Sequence, residues 1–169
     1  NGNRLPADDG LFSLRAVNFG DLFGLADDFG LTSPTIGPVD LRGVPGGNLW
    51  QLLAPIPMTW IDHNGHQSFV IPSTMLTDLA SVPSALQSVV SPCGPIKEPA
   101  VGHDGLYQYR PILNTGIRIT RAEADRWLYQ ACLDIGGMSH DDALKVYLAV
   151  RIGGSAIWHR HDAEFPESA

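Results

Sequence analysis

The chain has 169 residues, 44% hydrophobic and 17% charged, with a formal net charge of −7 and two cysteines. That length and apolar content suit one folded domain, and 18 Gly with 13 Pro promise many loops. The acidic balance argues against nucleic acid as a partner, because such binding needs Lys and Arg to neutralise phosphates, and no apolar run reaches the roughly eighteen residues of a membrane-spanning helix.

Residues 1–48 are dominated by Gly, Asp, Asn and Pro, broken by apolar pairs such as Leu11-Phe12 and Leu22-Phe23. This stretch reads as an extended arm whose bulky side chains need a cover, either the domain itself or a protein partner. Gly43 to Gly47, with Pro45 inside, mark the expected boundary with a single α+β domain over residues 49–158. Candidate strands follow at Leu49–Leu53, Met58–Ile61 and Ser68–Ile71, the last two flanking His63-Asn64-Gly65-His66. Asn-Gly between β-prone runs signals a hairpin, because both central residues of a type I′ turn need positive φ. His63 and His66 bracket that turn as metal ligands or, more commonly, as solvated polar residues. Asp78 reads as a turn former or as a carboxylate facing His103 across a cleft, and a short helix is expected from near Ser84. Ser81 lacks the Gly-x-Ser-x-Gly setting of a hydrolase nucleophile. Cys93 and Cys132 read as free thiols, since two cysteines make no disulfide framework, with a disulfide between them as the alternative in an oxidising compartment.

The chemistry is expected in Pro99-Ala100-Val101-Gly102-His103-Asp104-Gly105-Leu106-Tyr107, which sets a histidine, a carboxylate and a phenol in a helix running from Pro99 to Tyr109. At about 100° per residue, His103 and Tyr107 share a face, as do Asp104 and Tyr107, while His103 and Asp104 diverge. Gly102 and Gly105 each weaken a helix by about 1 kcal/mol relative to Ala, which implies close packing, ligand approach or an irregular segment. Thr120 and Glu123 form a capping-box pattern for a second helix, with Ala124, Trp127, Leu128, Ala131, Cys132 and Ile135 at helical spacing before Gly136-Gly137. Asp125 lies close to that apolar stripe. It is either buried and paired, with a histidine as natural partner, or exposed in the first turn where it complements the dipole. Ser139 caps a third helix with Asp141 and Asp142 at its start and Arg151 near its last turn. A tail over residues 159–169 follows, and Trp158-His159-Arg160-His161-Asp162 reads as a metal-binding tract or as solvated charge. The whole is an α+β pattern: an extended N-terminal arm, a small antiparallel sheet, and a three-helix C-terminal half in which two helices pack a His-Asp site.

The ordered set Thr77-Asp78-Leu79-Ala80-Ser81-Val82-Pro83, His103-Asp104-Gly105-Leu106-Tyr107, Arg121-Ala122-Glu123-Ala124-Asp125 and the Tyr147 to Gly153 helix end resembles an uncharacterised family found in phages and bacterial genomes. A second resemblance is chemically richer. His-Asp-x-x-Tyr on one helix, followed by a helix carrying Asp, is similar to the active core of secreted phospholipases of the A-two class. That similarity implies His103 as the base that activates water, Asp125 as the carboxylate that orients it, and Tyr107 as a supporting group. It implies Asp104 as a calcium ligand, with a backbone carbonyl from Cys93-Gly94-Pro95, chiefly Gly94, as a further oxygen. Asp78 is a candidate for either set, and phospholipid is the implied substrate. The chain departs from that family in lacking its dense disulfides and in the composition and spacing of the upstream Gly loop. Two other readings stand beside this metal-assisted hydrolase. One is a phage or secretion-system assembly protein, virion-associated or secreted, whose arm binds neighbours and which oligomerises. The other is a cell-wall hydrolase using Asp78, His103 and a metal, although no His-Glu-x-x-His pattern is present.

Overall fold

A computed structural model of the chain describes residues 30–47, 49–77 and 94–160. Within these, six strands run in order as β1 (Thr32–Ile36), β2 (Leu41–Gly43), β3 (Trp50–Leu52), β4 (Ile56–Asp62), β5 (Gly65–Ile71) and β6 (Leu76–Thr77). They form two antiparallel three-stranded sheets, ordered β1-β4-β5 and β2-β3-β6. Four helices follow: α1 (Lys97–Tyr109), α2 (Arg121–Asp134), α3 (His140–Gly153) and the short α4 (Ser155–Arg160). The architecture is α+β, as the alternation of strand and helix patterns anticipates. No helix among the described residues is long and apolar enough to cross a membrane.

The period-two burial of β4 explains its place in the larger sheet: Ile56, Met58 and Trp60 point into the core while Pro57, Thr59 and Ile61 do not. Its hairpin with β5 forms as expected, but the turn sits one residue earlier. Asp62 pairs with Gly65, so His63 and Asn64 are the turn residues, and Gly65 alone takes positive φ, at 100°. The Asp62 carboxylate accepts the Asn64 N–H at 2.7 Å, closing the bend early and leaving the left-handed position to glycine.

The sheets begin inside the stretch read as an arm. Ile36 pairs with Met58 and Leu41 with Leu52, while Leu31 and Val39 are buried in the core. The boundary expected at Gly43 to Gly47 falls at the turn joining β2 to β3, two strands that pair with each other. Composition misses this because strand pairing is a relation between distant segments.

Helix α1 starts two residues before Pro99, which therefore occupies the first turn, where its missing N–H leaves no intrahelical bond unmade. The glycines of this helix serve close packing. A methyl group at Gly102 would lie 2.2 Å from Cη2 of Trp127 on α2, and one at Gly105 would lie 2.7 Å from Cδ1 of Ile71 on β5. The α1 backbone thus packs directly against side chains of α2 on one side and of the larger sheet on the other. On α2 both bonds of the Thr120–Glu123 capping box are made, and on α3 the Ser139 hydroxyl accepts the Asp142 N–H at 3.2 Å. The loop between α1 and α2 is tied to the hairpin by Asn114, which accepts from the buried Gln67 amide at 2.9 Å and donates to the Asn64 carbonyl at 3.0 Å.

The core divides into a sheet-facing cluster containing Met58, Trp60, Ile71, Val101, Leu106 and Trp127, and a helix-helix cluster containing Ile96, Leu128, Cys132, Leu144 and Val146. Cys132 is a free thiol whose pKa burial pushes up to about 12, so it packs as an apolar group. Cys93, Asp78, Ser81, the helix expected from Ser84, His161 and Asp162 lie outside the described residues.

Candidate functional site

The polar groups of α1 are buried within its flanking packing. His103 keeps only 2% of its surface exposed and Asp125, on α2, keeps 0%. A charge taken so far from water is tolerable only with several partners, and Asp125 has three. His103 Nε2 lies 2.9 Å from Oδ1, the Tyr107 hydroxyl donates to the same oxygen at 2.6 Å, and Arg151 Nη1 of α3 donates to Oδ2 at 2.8 Å. Spacing accounts for the convergence. His103 and Tyr107, four residues apart, sit on one face of α1, and their rings touch at a tilt of 45° with centroids 4.2 Å apart. The capped first turn of α2 brings Asp125 opposite that face. Of the two readings open for Asp125, the buried and paired one is observed.

Burial opposes ionisation of Asp125, but the bonds from His103, Tyr107 and Arg151 outweigh it and hold the carboxyl below its ordinary pKa. Burial, then the charge of Asp125 and the bond to it, push the Tyr107 phenol far above its ordinary value, so it stays a neutral donor. An ionised carboxylate only accepts hydrogen bonds, so the imidazole donates through Nε2. In the neutral imidazole the lone pair then lies on Nδ1, which makes no hydrogen bond among the described residues. The arrangement has the elements of a general base: an imidazole oriented through one nitrogen by a buried carboxylate, with the other nitrogen left over.

Asp104 diverges from this group, as its neighbouring position on the helix requires. Its Oδ2 accepts the Thr77 hydroxyl at 2.5 Å, which ties α1 to the end of β6. Calcium takes about six to eight oxygen ligands, and the described residues by themselves bring only a few oxygens near Asp104. Asp104 offers one carboxylate already bonded to Thr77, the Gly94 carbonyl accepts the Lys97 N–H in the turn into α1 at 3.0 Å, and no group of three His, Cys, Asp or Glu side chains able to hold a metal occurs among the described residues. Asp78, the other expected ligand, lies outside them. His63 is engaged with the Asn64 side chain at 3.0 Å on the hairpin turn, and His159 stands in the last turn of α4.

The sequence puts Arg151 near the end of the third helix, yet its role in this group is invisible there. The one signal was Asp125 itself, since a carboxylate on an apolar stripe calls for a cation as well as an imidazole. Beyond Tyr107 the network continues outward. Tyr107 meets Trp158 of α4 edge-on with centroids 5.0 Å apart, and the Arg110 guanidinium stacks over Trp158 at 4.1 Å and donates to its carbonyl.

No curated protein and no solved structure matches the chain. A family model does match, over residues 50–150, a span that contains His103, Asp104, Tyr107 and Asp125 and ends one residue before Arg151. That model covers more than half of the chain, and the protein belongs to the family it describes, a protein of unknown function designated DUF1353.

Proposed function

We propose that the protein is a hydrolase that cleaves a carboxylic ester, with His103 as the general base. The observation that carries this reading is the division of labour on the His103 ring. Nε2 is held by a buried carboxylate at 2.9 Å, while Nδ1 has no hydrogen-bond partner among the described residues. In the proposed reaction Nδ1 takes a proton from water, the hydroxide attacks the ester carbonyl, and the tetrahedral intermediate collapses. The departing alkoxide then recovers the proton from His103, so ester and water become acid and alcohol. Asp125 stabilises the imidazolium formed on the way, and Tyr107 holds the shared oxygen in place. The similarity of His103-Asp104-Gly105-Leu106-Tyr107 and Asp125 to the phospholipase A-two core makes a phospholipid the substrate class of first choice.

The test is turnover of a short-chain nitrophenyl ester and of phosphatidylcholine vesicles, each with calcium, with zinc and with chelator. Hydrolysis that His103→Gln abolishes is the expected result. Absence of turnover on both substrates under all conditions overturns the reading. Release of peptidoglycan fragments instead would point to the cell wall.

The second reading is a non-catalytic assembly domain, of the kind used in phage particles or secretion systems. One observation favours it: His103, Asp104 and Asp125 are all buried, as in a polar core that serves only to fix the packing of three helices. On this reading His103→Gln lowers stability and there is no turnover to lose.

A further inference from the structure

We propose that Arg151 is the positioning residue of the site, fixing the plane of the Asp125 carboxylate and, through it, the tautomer of His103. The inference rests on the hydrolase reading given above. A carboxylate has two equivalent oxygens and turns about its Cβ–Cγ bond, so it orients an imidazole only if something distinguishes the two. Here Oδ1 receives both His103 and Tyr107, whereas Oδ2 receives the Arg151 guanidinium at 2.8 Å. The guanidinium is therefore what keeps Oδ1 turned toward His103, and its charge keeps a carboxylate buried to 0% exposure an acceptor.

Two independent features seat Arg151 there. Arg121, one helical turn before Asp125 on α2, donates to the Arg151 backbone carbonyl at 3.2 Å, so α2 grips the end of α3 while α3 grips the carboxylate of α2. The chain then leaves α3 past the back of the site: a methyl group at Gly154 would lie 2.7 Å from the Tyr107 hydroxyl, so glycine is needed there for space. Without the guanidinium, Oδ2 would face the interior without its charged donor. The carboxyl then turns or takes up a proton, and in either case Nε2 loses its fixed acceptor. A protonated carboxyl donates to Nε2 and drives the imidazole proton to Nδ1, the nitrogen that must hold a lone pair for base catalysis. Arg151 itself is 33% exposed, which makes it the member of this group that solutes reach.

The experiment is heteronuclear NMR of the full chain labelled with nitrogen-15 in histidine, the His103 signals being assigned by their loss in His103→Gln. The wild type is expected to show the Nε2–H tautomer with a downfield Nε2–H proton. Arg151→Gln is expected to abolish the single tautomer and to lower kcat on the nitrophenyl ester about ten- to hundredfold at unchanged KM. Millimolar ethylguanidinium added to Arg151→Ala is expected to restore the wild-type signals, which the same concentration of sodium salt does not. A folded Arg151→Gln with unchanged His103 signals overturns the proposal. If Arg151→Gln does not fold, Arg151→Lys carries the test: it keeps the charge but not the fork, so a retained tautomer with a moved Nε2–H proton supports the proposal and an unmoved proton overturns it. A wild type that turns over no ester removes the hydrolase reading alone, because the NMR signals are read without substrate.

Discussion

His103 Nε2 and Asp125 Oδ1 face each other at 2.9 Å from neighbouring helices, with 3% and 0% of their side chains exposed. The two helices that carry the pair contribute side chains to both apolar clusters, so it is both a packing element and a polar centre. Its stability and its chemistry are therefore open to separate measurement.

Asp125→Asn keeps the size of the side chain and removes the charge that Arg151 and Tyr107 are built to meet. Breaking a fully buried pair costs about 3–5 kcal/mol, and the exposure of Arg151 lowers the expected loss to about 2–3 kcal/mol. Urea unfolding should show the midpoint falling with an unchanged slope. A loss under 0.5 kcal/mol, on the order of an ordinary surface substitution, would mean that Asp125 does not carry this charge network.

The pH dependence of stability has two limbs. Asp125 is held below its ordinary value of 3.8, so its contribution is fully present above that pH and is lost as pH falls through the lower folded value. Tyr107 is held above its ordinary value of 10.0, so stability falls as pH rises past that point, where the unfolded chain ionises and the folded one does not. Tyr107→Phe should make the alkaline limb shallower above pH 10.0, leaving the part that begins near 9.0 with the buried Cys132 thiol, and cost about 1–2 kcal/mol at neutral pH through the lost bond to Asp125. Unfolding midpoints followed from acid to alkali in both proteins provide the comparison. An alkaline limb unchanged in Tyr107→Phe would assign it to another group.

Gly102→Ala sets two effects against each other. Helix propensity favours alanine by about 1 kcal/mol, but the new methyl group would stand 2.2 Å from Trp127, a ring with 0% exposure and no room to retreat. Overpacking of this kind costs about 1–3 kcal/mol, and the backbone must shift to relieve it. The net expectation is a melting temperature lower by several degrees. Gly105→Ala should cost somewhat less, because the overlap is smaller: the new methyl group would meet Cδ1 and Cγ1 of the buried Ile71 at 2.7 and 2.8 Å. Equal or raised melting temperatures in Gly102→Ala would show that the α1 backbone is not pressed against the Trp127 ring there.

Thr77→Val is nearly isosteric and removes the hydroxyl that donates to Asp104 at 2.5 Å. A charge-assisted bond of this type is worth about 1.5–3 kcal/mol net, and a loss in that range is expected. Hydrogen exchange should rise at the β3 amides that pair with β6. Unchanged exchange there would mean that Asp104 does not hold the strand end to α1.

The chain determined its local structure on its own. Ser139 and the Thr120–Glu123 pair cap their helices through bonds made within three residues, and the alternation of Ile56, Met58 and Trp60 sets the buried face of β4. Such features are legible because donor, acceptor and period all lie inside one short window. The His103–Tyr107 face was legible for the same reason, and Asp125 was half legible, since a carboxylate beside an apolar stripe states a need without naming who meets it. Tertiary structure decided the rest. It moved the hairpin turn by one residue, drew residues from Leu31 onward into the core and sheets, and pressed Gly102 against Trp127. It also brought Arg151 of α3 to the far oxygen of Asp125. Each of these is a contact between segments far apart in the chain, selected by how helices and sheets share a core, and no local periodicity encodes which distant side chain arrives.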